Sequence, residues 1–179
     1  MNVATLRADC ARCAGLCCVA LAFDRSALFA FDKAAGEPCL NLGACGGCRI
    51  HAEREREGFA GCVAYDCLGA GQRVVQEVFA GRSWREDPAL LAPMLRAFEA
   101  MREVHGLLLL LSQASRLALT LAEQDALAEL EAALQPKDGW SARSLGRAPL
   151  AEITQQVRGF LAPLRDQLLL EASTAAYGD

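Results

Sequence analysis

The sequence predicts a mainly α protein in two parts: a small cysteine-rich module over residues 1–68, packed on a helical bundle over residues 69–179. Three observations carry that reading. All nine cysteines fall between Cys10 and Cys67, and none follows. Residues 1–67 hold only 15 Leu, Ile, Val, Met or Phe and are rich in glycine, whereas residues 68–179 hold 33. In that second part the apolar residues recur at helical spacing. A segment as aliphatic-poor as the first buries too little apolar surface to offset its backbone entropy, so it needs a staple. The second part has enough to form a core unaided.

The elements follow in order. Val19, Leu21 and Phe23, then Phe29 and Phe31, partly alternate, which predicts a short hairpin turning near Asp24, Arg25 and Ser26. Gly36-Glu37-Pro38 and Gly46-Gly47 are turn signals, and Ile50–Glu57 reads as one or two helical turns. Residues 72–80 read as a short helix with Val74, Val75, Val78 and Phe79 on one side. Asp87-Pro88 starts a long helix, with Asp as N-cap and Pro in the first turn. Its stripe runs through Leu91, Met94, Leu95, Phe98, Met101, His105, Leu108 and Leu109, with Gly106 as a weak point. Thr120 to Glu123 matches a capping box and opens a helix carrying Leu127, Leu130 and Leu134. Pro136 to Gly139 ends it, and a polar loop reaches Gly146. Pro149 opens the last helix, with Leu150, Ile153, Val157, Phe160, Leu161, Leu164 and Leu168 on one face and a kink expected at Pro163. The short helix at 72–80 follows Cys67 closely, so residues 68–84 should bridge the two parts, with Val74, Val78 and Phe79 buried against the bundle.

The thiols are patterned: Cys10-x2-Cys13-x3-Cys17-Cys18, then Cys39, then Cys45-x2-Cys48, then Cys62-x4-Cys67. Thiols at such separations place several sulfurs on one soft metal. On a helix, Cys10, Cys13, Cys17 and Cys18 would share an arc of about 140°, with Cys17 and Cys18 about 100° apart. Those two would then serve different ions, or one would stand behind the ligands. A disulfide framework fits poorly, because the N-terminus has no apolar signal region and the count is odd. Nine cysteines in 58 residues also exceed ordinary packing use. A catalytic or redox-sensing thiol set is the remaining competitor. Eight thiols would fill two tetrahedral zinc sites, two iron–sulfur clusters, or a bridged site. His51, three residues after Cys48, is a surface or supporting histidine more than a ligand. His105, on its apolar stripe, reads as a core or interface residue.

The net charge of −4 has no basic stripe, which argues against a nucleic-acid partner. Arg54 and Arg56 alternate with Glu53, Glu55 and Glu57 as on a solvated face. The leucine run from Leu107 to Leu121 is broken by Ser112, Gln113, Ser115 and Arg116 and is too short to cross a membrane. Reduced thiols without a signal make the cytoplasm the expected location. Gly69-Ala70-Gly71 opens a helix but forms neither a dinucleotide nor a phosphate-loop fingerprint.

The cysteine pattern, with Leu42, His51 and the run Cys62-x2-Tyr65-Asp66-Cys67, resembles the CxxCxxCC (YkgJ-like) family of zinc- or iron-chelating domains. The runs Gly15–Leu21 and Tyr65–Gln72 are similar to a cysteine-rich segment attached to some bacterial pentapeptide-repeat proteins. The resemblance covers about residues 9–84. It implies eight metal ligands: Cys10, Cys13, Cys17, Cys18, Cys39, Cys48, Cys62 and Cys67. Cys45 falls outside it. The chain departs from the family in having three residues before the Cys pair and in lacking an Arg-Pro pair before the late cysteines. It has no pentapeptide repeat.

The expected function is therefore a metal-binding protein that coordinates zinc or iron through cysteine thiolates. Its role would be structural or regulatory, with the helical body meeting a protein partner. One alternative is an iron–sulfur redox protein or a component of a metal-dependent enzyme, although Asp9, Arg49, His51, Tyr65 and Asp66 form no known catalytic motif. Another is a copper- or zinc-handling protein.

Overall fold

A computed structural model describes residues 6–176, with side chains to residue 165. The fold is mainly helical, with a helical bundle, and no β-strand forms among the described residues. Seven α-helices follow in order: α1 (Leu16–Ala20), α2 (Ala60–Ala64), α3 (Ala70–Arg73), α4 (Leu91–Ala114), α5 (Leu121–Leu134), α6 (Ala142–Leu145) and α7 (Leu150–Ala176).

The chain divides into two compact units. The first runs to His105 and takes in Gly139–Ala148; the second is Gly106–Asp138 with the chain from Pro149 onward. This division differs from a boundary at residue 68, because residues 69–105 cluster with the cysteine segment. Long-range hydrogen bonds are the reason. The Asp9 amide donates to Gln72 Oε1, and Gln72 Nε2 donates to Arg7 O at 2.9 Å. Trp84 Nε1 donates to Ala14 O at 3.0 Å. Arg85 Nη2 donates to the carbonyls of Gly43 and Ala44, at 3.0 and 2.6 Å.

Within the first unit the 18–31 segment is not a hairpin. Cys17 and Cys18 belong to α1, and beyond it only isolated antiparallel bridges form, Phe23 with Lys33 and Ser26 with Phe29. The turn is therefore Ser26–Phe29. Ring packing replaces a ladder: Phe23 stacks on Phe29 at 4.4 Å, and Phe31 meets Phe59 edge-on at 5.0 Å. With alanine at Ala20, Ala22 and Ala30, a lone two-stranded ladder has little to hold it.

The helix expected at 72–80 starts two residues earlier. α3 continues as a π-helical turn over Val74–Val78, with the Phe79 amide donating to Val74 O at 3.0 Å. Val74, Val75 and Phe79 are buried, while Val78 is half-buried. Glu77 on that turn accepts from Arg73 Nε at 2.9 Å and from the Trp140 amide at 2.5 Å. The latter bond ties the 139–148 segment to it. That segment is not only loop: Ser141 and Ser144 form a capping box that opens α6.

Asp87 caps the turn Pro88–Leu90 ahead of α4, accepting from the Ala89 amide, and α4 runs unbroken through Gly106. Its part in the first unit buries Met94, Phe98, Met101, Val104 and His105. In the second unit α5 packs on α7. Thr120 and Glu123 complete the capping box of α5. Leu127, Leu130, Leu134, Ile153, Val157 and Leu164 are buried. Pro163 lies inside α7, and Leu168 falls outside the described side chains. No described helix is long and apolar enough to cross a membrane.

Candidate metal centre

Four short pieces of backbone carry the cysteines. Cys10 lies on a single 3-10 turn capped by Asp9, whose carboxylate accepts from the Ala11 amide at 3.1 Å. Cys13 follows, then Ala14 and Gly15 with φ of 51° and 69°, and α1 begins. Gly15 is required there. A β-carbon would lie 2.6 Å from Leu42 Cδ1 and 2.9 Å from Gly46 O. α1 then presents Cys17 and Cys18.

The loop from Cys39 to Cys48 is tied to α1 and to itself. The Cys39 amide donates to Cys18 O at 2.9 Å, the Leu42 amide donates to Cys39 O at 2.9 Å, and Leu42 bridges Cys48. Cys62 lies on α2, and Cys67 on the link between α2 and α3.

These pieces enclose a cavity of about 360 Å³. Cys10, Cys13, Cys17, Cys18, Cys39, Cys48, Cys62 and Cys67 all line it. Cys45 does not: it is exposed, outside the wall. All nine cysteines are free thiols. Among the described residues no three His, Cys, Asp or Glu side chains already converge closely enough to hold one ion. The Cys17 and Cys18 sulfurs lie 4.0 Å apart. The donor set, eight thiols on one cavity, is of the kind that soft ions such as zinc take. His51 also lines the cavity, although its side chain is exposed.

The thiols press on one another. Burial pushes the Cys13 thiol up to about 11, with Cys10 and Cys67 adding to the effect. Burial likewise raises Cys10, Cys39 and Cys62. Cys17 and Cys18 split in opposite directions. Their sulfurs share one contact in which either can donate, and this contact with burial raises Cys17 well above the ordinary range. The same contact lowers Cys18, with the positive charges of Lys33 and Arg54 adding to the effect. Thiolates on this cavity would need positive charge beside them.

Two cations that the cysteine spacing does not reveal supply it. Lys33 is buried, and its ammonium donates to the carbonyls of Val19, Leu21 and Ala34 at 3.0, 2.5 and 2.9 Å, covering the C-terminal end of α1. Arg54 reads as part of a solvated face, yet it is half-buried. Its Nε donates to His51 O at 2.8 Å and its Nη1 to Cys62 O at 2.9 Å. Lysine and arginine beside thiolates favour the ionised form. No sequence signal marks Lys33, since its role depends on the Val19 and Leu21 carbonyls at the end of α1, more than ten residues away.

Tyr65 also lines the cavity, with the Arg102 guanidinium 5.6 Å from its ring centre. Its hydroxyl is buried without a hydrogen-bond partner. Burial raises its proton affinity, partly opposed by Arg102. A buried hydroxyl left unpaired costs about 1–3 kcal/mol, so an acceptor within the cavity would relieve a penalty the protein alone does not.

His105 stands behind the wall. Its Nδ1–H donates to Leu68 O at 2.5 Å, and its Nε2 accepts from Arg73 Nη1 at 3.4 Å. The imidazole is thereby a buried structural group that holds the residue next to Cys67 in place.

Over 109 residues the chain is 47% identical to the uncharacterized protein YybG of Bacillus subtilis. That stretch is 61% of this chain and 39% of the relative, so the chain spans well under half of the relative's length. No known family profile and no solved structure matches the chain.

Proposed function

We propose that this protein binds zinc or iron through cysteine thiolates, in a structural or regulatory role. One observation carries the reading: the eight cysteines that the family resemblance implies as ligands line a single cavity, and the ninth, Cys45, lies outside it. The surroundings agree with it. Lys33 and Arg54 offset the negative charge that a thiolate-bound ion leaves. Bound metal would also supply the staple that an aliphatic-poor segment needs; in small zinc peptides such binding contributes roughly 10–16 kcal/mol.

The test is metal analysis with an absorption spectrum on anaerobically purified protein. Zinc without visible absorption supports the first reading. The second reading is an iron–sulfur centre, favoured by a cavity of about 360 Å³, which exceeds the needs of one bare ion. Bound iron with visible absorption and acid-labile sulfide would establish it. Protein that carries no metal and takes up neither ion would refute both.

A further inference from the structure

We propose that the cavity holds two ions in two four-cysteine sites that meet at the Cys17–Cys18 peptide: Cys10, Cys13, Cys17 and Cys67 form one, and Cys18, Cys39, Cys48 and Cys62 the other. The inference rests on the metal-binding reading and deepens it. Eight thiols on one cavity allow many partitions, and the backbone narrows them.

The first set is assembled by the N-terminal turn and the start of α3. The Cys13 thiol donates to Cys10 O at 3.3 Å, so the two residues share one turn. Cys13 also packs against the first turn of α3. A β-carbon at Gly71 would lie 2.9 Å from Cys13 Cβ and 3.8 Å from its sulfur. Gly71 stands four residues after Cys67, so the same contact delivers Cys67. The second set is assembled by the loop and α2. The Cys39 amide bonds Cys18 O, and the Cys39–Leu42–Cys48 turn closes on itself. Arg54 Nη1 bonds Cys62 O at 2.9 Å and its Nε bonds His51 O, three residues after Cys48, at 2.8 Å.

Each set supplies four sulfurs, the number a closed tetrahedral thiolate site takes. The 4.0 Å pair Cys17–Cys18 then forms the shared wall of the two sites.

The experiment is a zinc titration of the reduced, metal-free full chain. Free thiols are trapped with N-ethylmaleimide at each step and located by intact and peptide mass. The expected end point is about two zinc ions per chain. Partly loaded protein should contain species with four or with eight thiols protected. The four should be Cys10, Cys13, Cys17 and Cys67, or else Cys18, Cys39, Cys48 and Cys62. Cys45 should be labelled throughout. Protection of four thiols drawn from both sets, or of all eight by the first ion, overturns the partition while leaving metal binding intact. Failure to bind zinc at all, in protein that also carries no iron, overturns the metal reading itself. A variant arm checks the same point. Cys13→Ser and the double variant Cys13→Ser, Cys67→Ser should each keep about one ion, and Cys13→Ser, Cys48→Ser should keep none. A double variant within one set that loses both ions while remaining folded would overturn the partition.

Discussion

Cys13 and Cys67 occupy the same position in two copies of one turn. Each is followed by two residues in the left-handed region, Ala14 and Gly15 (φ 51° and 69°) or Leu68 and Gly69 (φ 53° and 82°). Each carbonyl accepts from the amide three residues on, Leu16 to Cys13 at 3.2 Å and Ala70 to Cys67 at 2.9 Å. Each turn then opens a helix, α1 or α3. The Cys-x-Gly spacing at both places is the local signal for this geometry, since glycine adopts positive φ without steric cost. Two chain segments more than fifty residues apart thus present a cysteine in the same way to one cavity.

The two glycines differ in what surrounds them, and stability should report it. Gly15→Ala adds a β-carbon 2.6 Å from Leu42 Cδ1 and 2.9 Å from Gly46 O, on top of the left-handed backbone. It should cost about 2–3 kcal/mol in urea unfolding, against about 1 kcal/mol for Gly69→Ala, where the backbone strain acts. Equal costs would show that the Leu42 contact relaxes freely.

The thiols should rank by their place on the cavity. Serine at Cys10, Cys13, Cys62 or Cys67 should lower bound metal or yield of folded protein, whereas Cys45→Ser should leave both near wild type, because Cys45 is exposed and away from the wall. Metal content per chain is the measurement. A loss at Cys45 as large as at Cys48 would point instead to Cys45-x2-Cys48 as the working pair.

Tyr65→Phe separates the metal-free protein from the loaded one. Without an acceptor for its hydroxyl, Tyr65 is a net cost, so the variant should be as stable as wild type, or more stable, once metal is removed. With metal bound, the variant should lose the ion faster to a competing chelator, by several-fold, if the hydroxyl donates to a thiolate. An unchanged release rate would mean that the phenol finds no partner in the loaded cavity.

His105 predicts a stability change in mild acid. Burial, with Arg73 adding, lowers its proton affinity in the folded state, although the bond to Leu68 O opposes this. The unfolded chain therefore binds the proton more readily. The stability this contributes is complete above the unfolded value of about 6.5 and is lost as pH falls below it. Glu77 is the nearby carboxylate that also acts on it. His105→Gln keeps a donor for Leu68 O but does not titrate. It should cost about 1–2 kcal/mol at pH 7.5 and flatten the fall between about pH 6.5 and 5, read as the difference between the two metal-free proteins. Parallel pH profiles would count against a neutral buried imidazole.

Chain order by itself determined the features that depend on neighbours a few residues apart. The Asp87 and Thr120 caps, the helix after Pro149 and the helical stripes of α4, α5 and α7 are of this kind, because capping bonds and helical faces are made within one or two turns. The mainly α class follows from them. Only the tertiary structure decided the rest. It joined residues 69–105 to the cysteine segment, turned the expected 18–31 hairpin into a phenylalanine cluster, and buried Lys33 on three carbonyls. It also brought Cys39, Cys48 and Cys62 to the cavity that Cys10 and Cys13 begin. Each of these depends on hydrogen bonds and ring contacts between distant segments, whose energy exists only after the chain has closed on itself; the cysteine pattern marks Cys39, Cys48 and Cys62 as candidate ligands but does not encode how their segments meet.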